Sequence, residues 1–101
     1  MRLIAESYAV LREPVKVPYH LTGTRELADA VAGGLGAEAV CVIMKHHGVL
    51  TVGQTLLEAF DRLEVLENTA KINIHAGQLG RMRQLNEEQC AALAAWAGWN
   101  G

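Results

Sequence analysis

Long hydrophobic runs are missing from this chain of 101 residues. No stretch approaches the roughly 20 apolar residues that a membrane-crossing helix needs, so no membrane role is expected. The opening residues, MRLIAESYAVLREP, carry Glu6 and Arg12 and show no signal-peptide pattern. Cysteine is scarce: Cys41 and Cys90 lie far apart and neither belongs to a CxxC pair, so a reduced, cytoplasmic protein is the default expectation. Net charge is only −2 and no basic stripe is present, which argues against nucleic acid as a partner. Aromatic residues make up only 5% of the chain, so a core must be built from Ala, Val, Leu and Ile. That composition suits an α/β protein better than a β-sandwich. Catalytic signatures are also absent: there is no HxH, no HExxH, no serine nucleophile elbow and no P-loop. Gly33-Gly34-Leu35-Gly36 is glycine-rich, but it follows a predicted helix rather than a strand and reads as a helix terminus.

Half of the residues are apolar. For one small domain this is enough for a single core, with some apolar surface left to meet a partner. The most informative stretch is residues 39–53, AVCVIMKHHGVLTVG. Ala39–Met44 reads as a strand buried on both faces, and Val49–Val52 as a second short strand. Lys45, His46, His47 and Gly48 then form the bend of an interrupted hairpin, with His47 at its tip. A stiff bend of this kind holds a side chain in one place, as a metal or substrate site requires.

The remaining elements follow from caps and periodicity. Residues 2–13 form a short helix ended by Pro14. Val15–Tyr19 alternates and contains Pro18, which marks an edge strand. Thr24 caps a helix from Arg25 to about Leu35, with Leu27, Ala30, Val31 and Gly34 on one face. Thr55 and Glu58 form a capping-box pattern that opens a long helix to Leu79, followed by Gly80. Along it, Leu56, Phe60, Leu63, Leu66, Ala70 and Ile74 recur at helical spacing and predict the buried side. Lys71, Arg81 and Arg83 cluster near its end, where positive charge is favourable, and Glu64 and Glu67 read as a solvated or intersubunit face. Asn86 caps a last helix bearing Cys90, Leu93, Ala94 and Ala97, with Trp96 and Trp99 half buried. Residues 1–101 are thus expected to be one domain in the order α–β–α–β–β–α–α.

His46 and His47 are candidate metal ligands by residue type. Neighbours on an extended segment point to opposite sides, so the two are not expected to share an ion. A catalytic zinc site takes three protein ligands. Of the other histidines, His20 follows the first strand and is placed to approach the bend, while His75 sits late in the long helix. The alternative reading of the bend is a polar turn whose imidazoles bond to backbone.

The segments VPYHLTGTRELADAV and VCVIMKHHGVLTVGQTLLEAFDRLEVLENTAKI change that balance. Together they resemble the class II aldolase/adducin family, which includes fuculose-phosphate aldolase, rhamnulose-phosphate aldolase and ribulose-phosphate 4-epimerase. The matching features are Pro18-Tyr19, Gly23-Thr24 with Glu26-Leu27, His47-Gly48 after a buried strand, Gly53, and a long helix carrying Glu64, Leu66 and Glu67. The likeness is strongest over residues 15–80 and corresponds to the C-terminal half of the family's domain. It implies a three-layer α/β/α fold around a mostly antiparallel sheet, of which this chain is a partial domain. It also implies a divalent metal, zinc above all, held by three histidines, with His47 as the one preceding the glycine. Such a metal polarises a carbonyl or enediolate oxygen of a sugar phosphate. Family members often form tetramers with active sites between subunits. His46 does not occupy the ligand position.

The family's other two ligands form a His-x-His pair upstream, and this chain has none. Two expectations therefore stand side by side. In one, the chain is the C-terminal part of a metal-dependent aldolase or epimerase, completed by a complementing N-terminal half or a partner chain. In the other, it is a non-catalytic, adducin-like association module or an inactive truncated remnant. Self-association through the long helix is expected in either case.

Overall fold

The structure is a computed structural model and describes residues 2–80 and 82–99. Arg81, grouped above with Lys71 and Arg83, lies outside the described residues. The elements are α1 (Ala5–Leu11), β1 (Val15–Val17), α2 (Arg25–Leu35), β2 (Cys41–Met44), β3 (Gly48–Thr51), α3 (Leu56–Leu79) and α4 (Glu87–Ala97). This is the order read from the sequence.

Caps explain most helix starts. Thr24 Oγ1 accepts the Leu27 N–H at 3.3 Å, and Thr55 Oγ1 accepts the Glu58 N–H at 3.1 Å. Each satisfies one of the donors that the first helical turn leaves unpaired. The return bond at α3 shifts by one residue, because Glu58 Oε1 accepts from the Gln54 N–H at 2.8 Å. Asn86 and Gln89 make the full reciprocal box at α4. Helix α1 has no side-chain cap and is shorter than the 2–13 span expected for it.

The sheet has the order β1-β2-β3, with β2 central. β1 pairs parallel to β2 and β2 pairs antiparallel to β3, so the chain's own share of the sheet is mixed rather than mostly antiparallel. The cause is α2, a crossover helix that returns the chain to the end of the sheet from which β1 started. Gly34 makes room for this crossover. A Cβ there would sit 3.2 Å from both Val15 Cγ1 and Val17 Cγ2. Leu27, Ala30, Val31 and Gly34 are all half-buried, as their spacing predicted.

Leu11 of α1, Cys41 of β2 and Leu66 of α3 form the centre of the core, flanked by Val10 and Val65. Beside them the buried hydroxyls of Ser7 and Thr69 bond at 2.5 Å, joining α1 to α3. Trp99 closes the end of α1. Its ring lies 4.9 Å from that of Tyr8, its Nε1–H donates to the Ala9 carbonyl at 3.0 Å, and Arg12 covers it at 5.4 Å. Gly53 lets the chain turn tightly from β3 into α3, since a Cβ there would come within 2.8 Å of the Ala59 backbone nitrogen.

β3 is an open edge with Val49 exposed, because no described strand pairs beyond it. Two expectations about burial are corrected. Trp96 is exposed rather than half-buried, since α4 turns Cys90 inward instead. In α3 only Leu66 and Thr69 are fully buried, and most of the predicted apolar face points outward. The molecule is correspondingly slab-like, 39 × 36 × 25 Å with a radius of gyration of 14.4 Å. A compact chain of this length has a radius of about 13 Å.

Burial has a chemical consequence at Cys41. Desolvation pushes its thiol above the ordinary range. The folded state thus keeps the proton where the unfolded state gives it up. Stability from this group is complete below the unfolded thiol value, about 8.5, and declines as pH rises through the higher folded value. Urea midpoints are expected to fall above about pH 8.5, and less so in Cys41→Ala. Equal alkaline losses in both proteins would contradict the assignment.

Candidate metal centre

The tip of the β2–β3 hairpin is a tight turn. The His47 N–H donates to the Met44 carbonyl at 3.1 Å, and Met44 pairs with Gly48 across the ladder. His46 takes φ 66°, a left-handed conformation that few non-glycine residues adopt. The segment is therefore a turn, not an extended stretch. The two histidines still diverge: His46 is exposed and His47 is half-buried.

The β1–α2 loop supplies the partners of His47. The parallel pairing of β1 with β2 brings residues 18–24 alongside the hairpin, and the Lys45 N–H ties the two together through the Val17 carbonyl at 3.1 Å. Tyr19 stacks flat on His47, with ring centroids 5.4 Å apart and planes within 5°. The same Tyr19 meets His46 edge-on at 5.8 Å. His47 Nε2 lies 2.7 Å from the His20 carbonyl oxygen, and Nδ1 lies 3.3 Å from Thr22 Oγ1. A carbonyl oxygen only accepts, so Nε2 carries the proton. In the neutral ring Nδ1 then holds the lone pair, with Thr22 as a long, weak partner. Metal-bound histidines commonly donate their second ring N–H to a backbone carbonyl in this manner. The ring thus fits the role of one oriented ligand.

The rest of a site is not supplied here. Among the described residues no three His, Cys, Asp or Glu side chains converge. His20 approaches the bend through its backbone carbonyl, not its ring, and His75 is exposed on α3. Glu64 and Glu67 are also exposed. A polar cleft at the opposite end of the sheet is lined by Arg12, Glu38, Glu58 and Arg62 among others. Its cations are already engaged: Arg12 with the carbonyls of Glu38 and Trp99, Arg62 with the Val52 carbonyl and the Glu58 carboxylate. Sequence reasoning missed Tyr19 and Thr22 as neighbours of His47. The local hints were Pro18, which ends β1, and the expectation that His20 approaches the bend.

Comparison with known proteins agrees with this architecture. Over 68 residues the chain is 40% identical to the L-fuculose phosphate aldolase of Methanococcus vannielii, covering 67% of this chain and 36% of that protein. It is 31% identical over 96 residues to the rhamnulose-1-phosphate aldolase of Listeria welshimeri, covering 92% of this chain and 34% of the relative. The chain therefore spans about a third of the length of these curated relatives. Among solved structures, the aldolase/epimerase/decarboxylase-like YgbL of Escherichia coli superimposes with a TM-score of 0.82 at 28% identity, over 92% of this chain and 44% of that one. An L-fuculose 1-phosphate aldolase gives 0.72 at 30% identity, over 91% and 50%. The profile of the Class II Aldolase and Adducin N-terminal domain matches residues 2–74. Matched over most of its length, in sequence and in fold, the chain belongs to the class II aldolase and adducin family.

Proposed function

We propose that this chain is the C-terminal part of a metal-dependent sugar-phosphate aldolase or epimerase, and that His47 supplies one of its metal ligands. The observation that carries the reading is the ring of His47. It is stacked on Tyr19, anchored through Nε2–H to the His20 carbonyl, and left with one lone-pair nitrogen. The stack and the hydrogen bond fix the plane and the tautomer of the ring before any ion arrives, which lowers the ordering cost of binding. A divalent cation held there, zinc by the donor type, would polarise a carbonyl or enediolate oxygen of the substrate. One histidine does not make a catalytic zinc site. The other ligands, the phosphate-holding groups and the acid/base come from further sequence or from a partner chain.

Several broader expectations belong to the same reading. Residues 1–101 act as one partial domain within a three-layer α/β/α sandwich. Free, buried Cys41 and Cys90 accord with a reducing, cytoplasmic setting. Among the described residues no helix is long and apolar enough to cross a membrane. The small-molecule partner is a sugar phosphate, as in the names of the relatives.

A non-catalytic association module is the second reading, favoured by the large apolar surface of α3. Metal analysis separates the two. The protein is isolated natively with whatever chains accompany it, and its zinc is measured beside the His46→Ala and His47→Ala variants. Zinc near one per chain is expected, retained in His46→Ala and lost in His47→Ala. A metal-free assembly, or zinc unchanged in His47→Ala, would overturn the enzymatic reading.

A further inference from the structure

A groove between α1 and α4 shares no residue with the His47 site or with the polar cleft at the opposite end of the sheet. Its volume is about 500 Å3, inside the roughly 300–1,000 Å3 range of small-molecule pockets. Ala5, Glu6, Ala9 and Val10 line it from α1, and Leu93 and Trp96 from α4. Ala5 and Ala9 are four residues apart, as are Glu6 and Val10, so the four share one side of α1. Leu93 and Trp96, three apart, share one side of α4. The alanine side chains are short and leave room that longer ones would fill.

Two of these six side chains have no part in holding the fold. Trp96 is 80% exposed, whereas Trp99 packs on Tyr8 and donates to the Ala9 carbonyl. Glu6 is exposed and makes no ion pair with another described residue, unlike Glu13 and Glu87, which Arg2 holds. We propose that the groove binds a small hydrophobic ammonium ion, a protonated arylalkyl or alkyl amine. Its apolar body lies against Trp96 and the two alanines, and its charge sits at the Glu6 carboxylate.

Charge selects that occupant. Glu6 is the one charged residue in the lining, and none of the six is Lys, Arg or His. An anion would meet a carboxylate with no counter-charge beside it. A neutral hydrocarbon would take water from the carboxylate and give it no partner in return. A cation is matched twice, by Glu6 and by the electron-rich face of the indole. The proposal does not rest on the metal reading. Helix α4, which supplies Leu93 and Trp96, lies beyond residues 2–74, the part matched by the family profile.

The test titrates the full chain with phenethylammonium, its neutral counterpart phenethyl alcohol, and the anion phenylacetate. The chain's two tryptophans give two indole N–H signals in a nitrogen–proton NMR correlation spectrum. The Trp96 signal is expected to move and saturate, while that of Trp99 stays in place. The ammonium should bind about fivefold more tightly than the alcohol, as one exposed ion pair and one exposed cation–π contact together allow. Phenylacetate should bind more weakly than either. Glu6→Gln should lower the affinity for the ammonium about threefold and leave that for the alcohol unchanged, a split that a general loss of structure would not produce. Ala5→Leu fills the groove from an exposed position and should abolish binding of all three, with unchanged circular dichroism as the folding control. A Trp96 signal that does not saturate in the parent chain, phenylacetate bound as tightly as the ammonium, or an ammonium affinity unaltered in Glu6→Gln would each overturn the proposal.

Discussion

Replacing Leu11 by alanine is expected to remove most of the chain's stability. Leu11 has no solvent exposure and sits between Cys41 of the central strand and Leu66 of α3. Truncating a fully buried leucine costs about 2–5 kcal/mol, from lost transfer energy plus the cavity left behind. Whole domains are stable by only about 5–15 kcal/mol. The low end is appropriate here, because few large side chains are fully buried and many apolar ones face solvent. Urea denaturation followed by circular dichroism should show the midpoint shifted sharply down with its slope unchanged. Leu57→Ala provides the contrast: that residue is 77% exposed, and its loss should move stability by less than about 0.5 kcal/mol. A Leu11→Ala midpoint equal to that of the parent would mean that α1 is not part of the cooperative core.

The second large effect concerns the buried hydroxyl pair. Thr69 Oγ1 donates to the Val65 carbonyl at 2.7 Å, so its one proton is committed. Ser7 must then be the donor in the 2.5 Å bond to Thr69 Oγ1. Thr69→Val keeps the shape but strips that acceptor away and leaves the Ser7 hydroxyl buried with no partner. An unmade buried hydrogen bond costs about 1–3 kcal/mol, whereas removing both partners is close to neutral. Thermal unfolding should therefore rank Thr69→Val below the Ser7→Ala/Thr69→Val double variant, although the double carries more changes. The opposite ranking would show that water reaches Ser7 and that the α1–α3 contact is looser than its geometry indicates.

Much of the fold was legible because the signals were local. Thr24, Thr55 and Asn86 each cap the helix that follows, since a short oxygen-bearing side chain beside the first turn bonds a free N–H whatever lies elsewhere. Gly80 follows the last residue of α3 as read. The apolar run before His47 and Gly48 marked the first strand of the hairpin, because a short apolar run ended by a polar turn and glycine reports on backbone geometry within a few positions. The side of α3 that is buried was not legible. Helical spacing marks Leu56, Phe60, Leu63, Ala70 and Ile74 as fit for packing, but it does not name what they pack against. The fold instead rolled the helix to set Leu66, Thr69 and Arg62 inward, because α1 and the end of β3 offer Ser7, Leu11 and the Val52 carbonyl there.

Capping chemistry along the chain was sufficient to set where α2, α3 and α4 begin, and the apolar pattern to put His47 at a bend. Which groups surround that imidazole followed from a pairing between distant segments. β1 lies parallel to β2 because α2 crosses over, and this carries Tyr19, the His20 carbonyl and Thr22 to a ring more than twenty residues away. Local preferences act over a few residues, whereas the choice of neighbour is made by burying apolar surface across the whole chain. That is why the histidine could be read from one dimension and its orientation only from three.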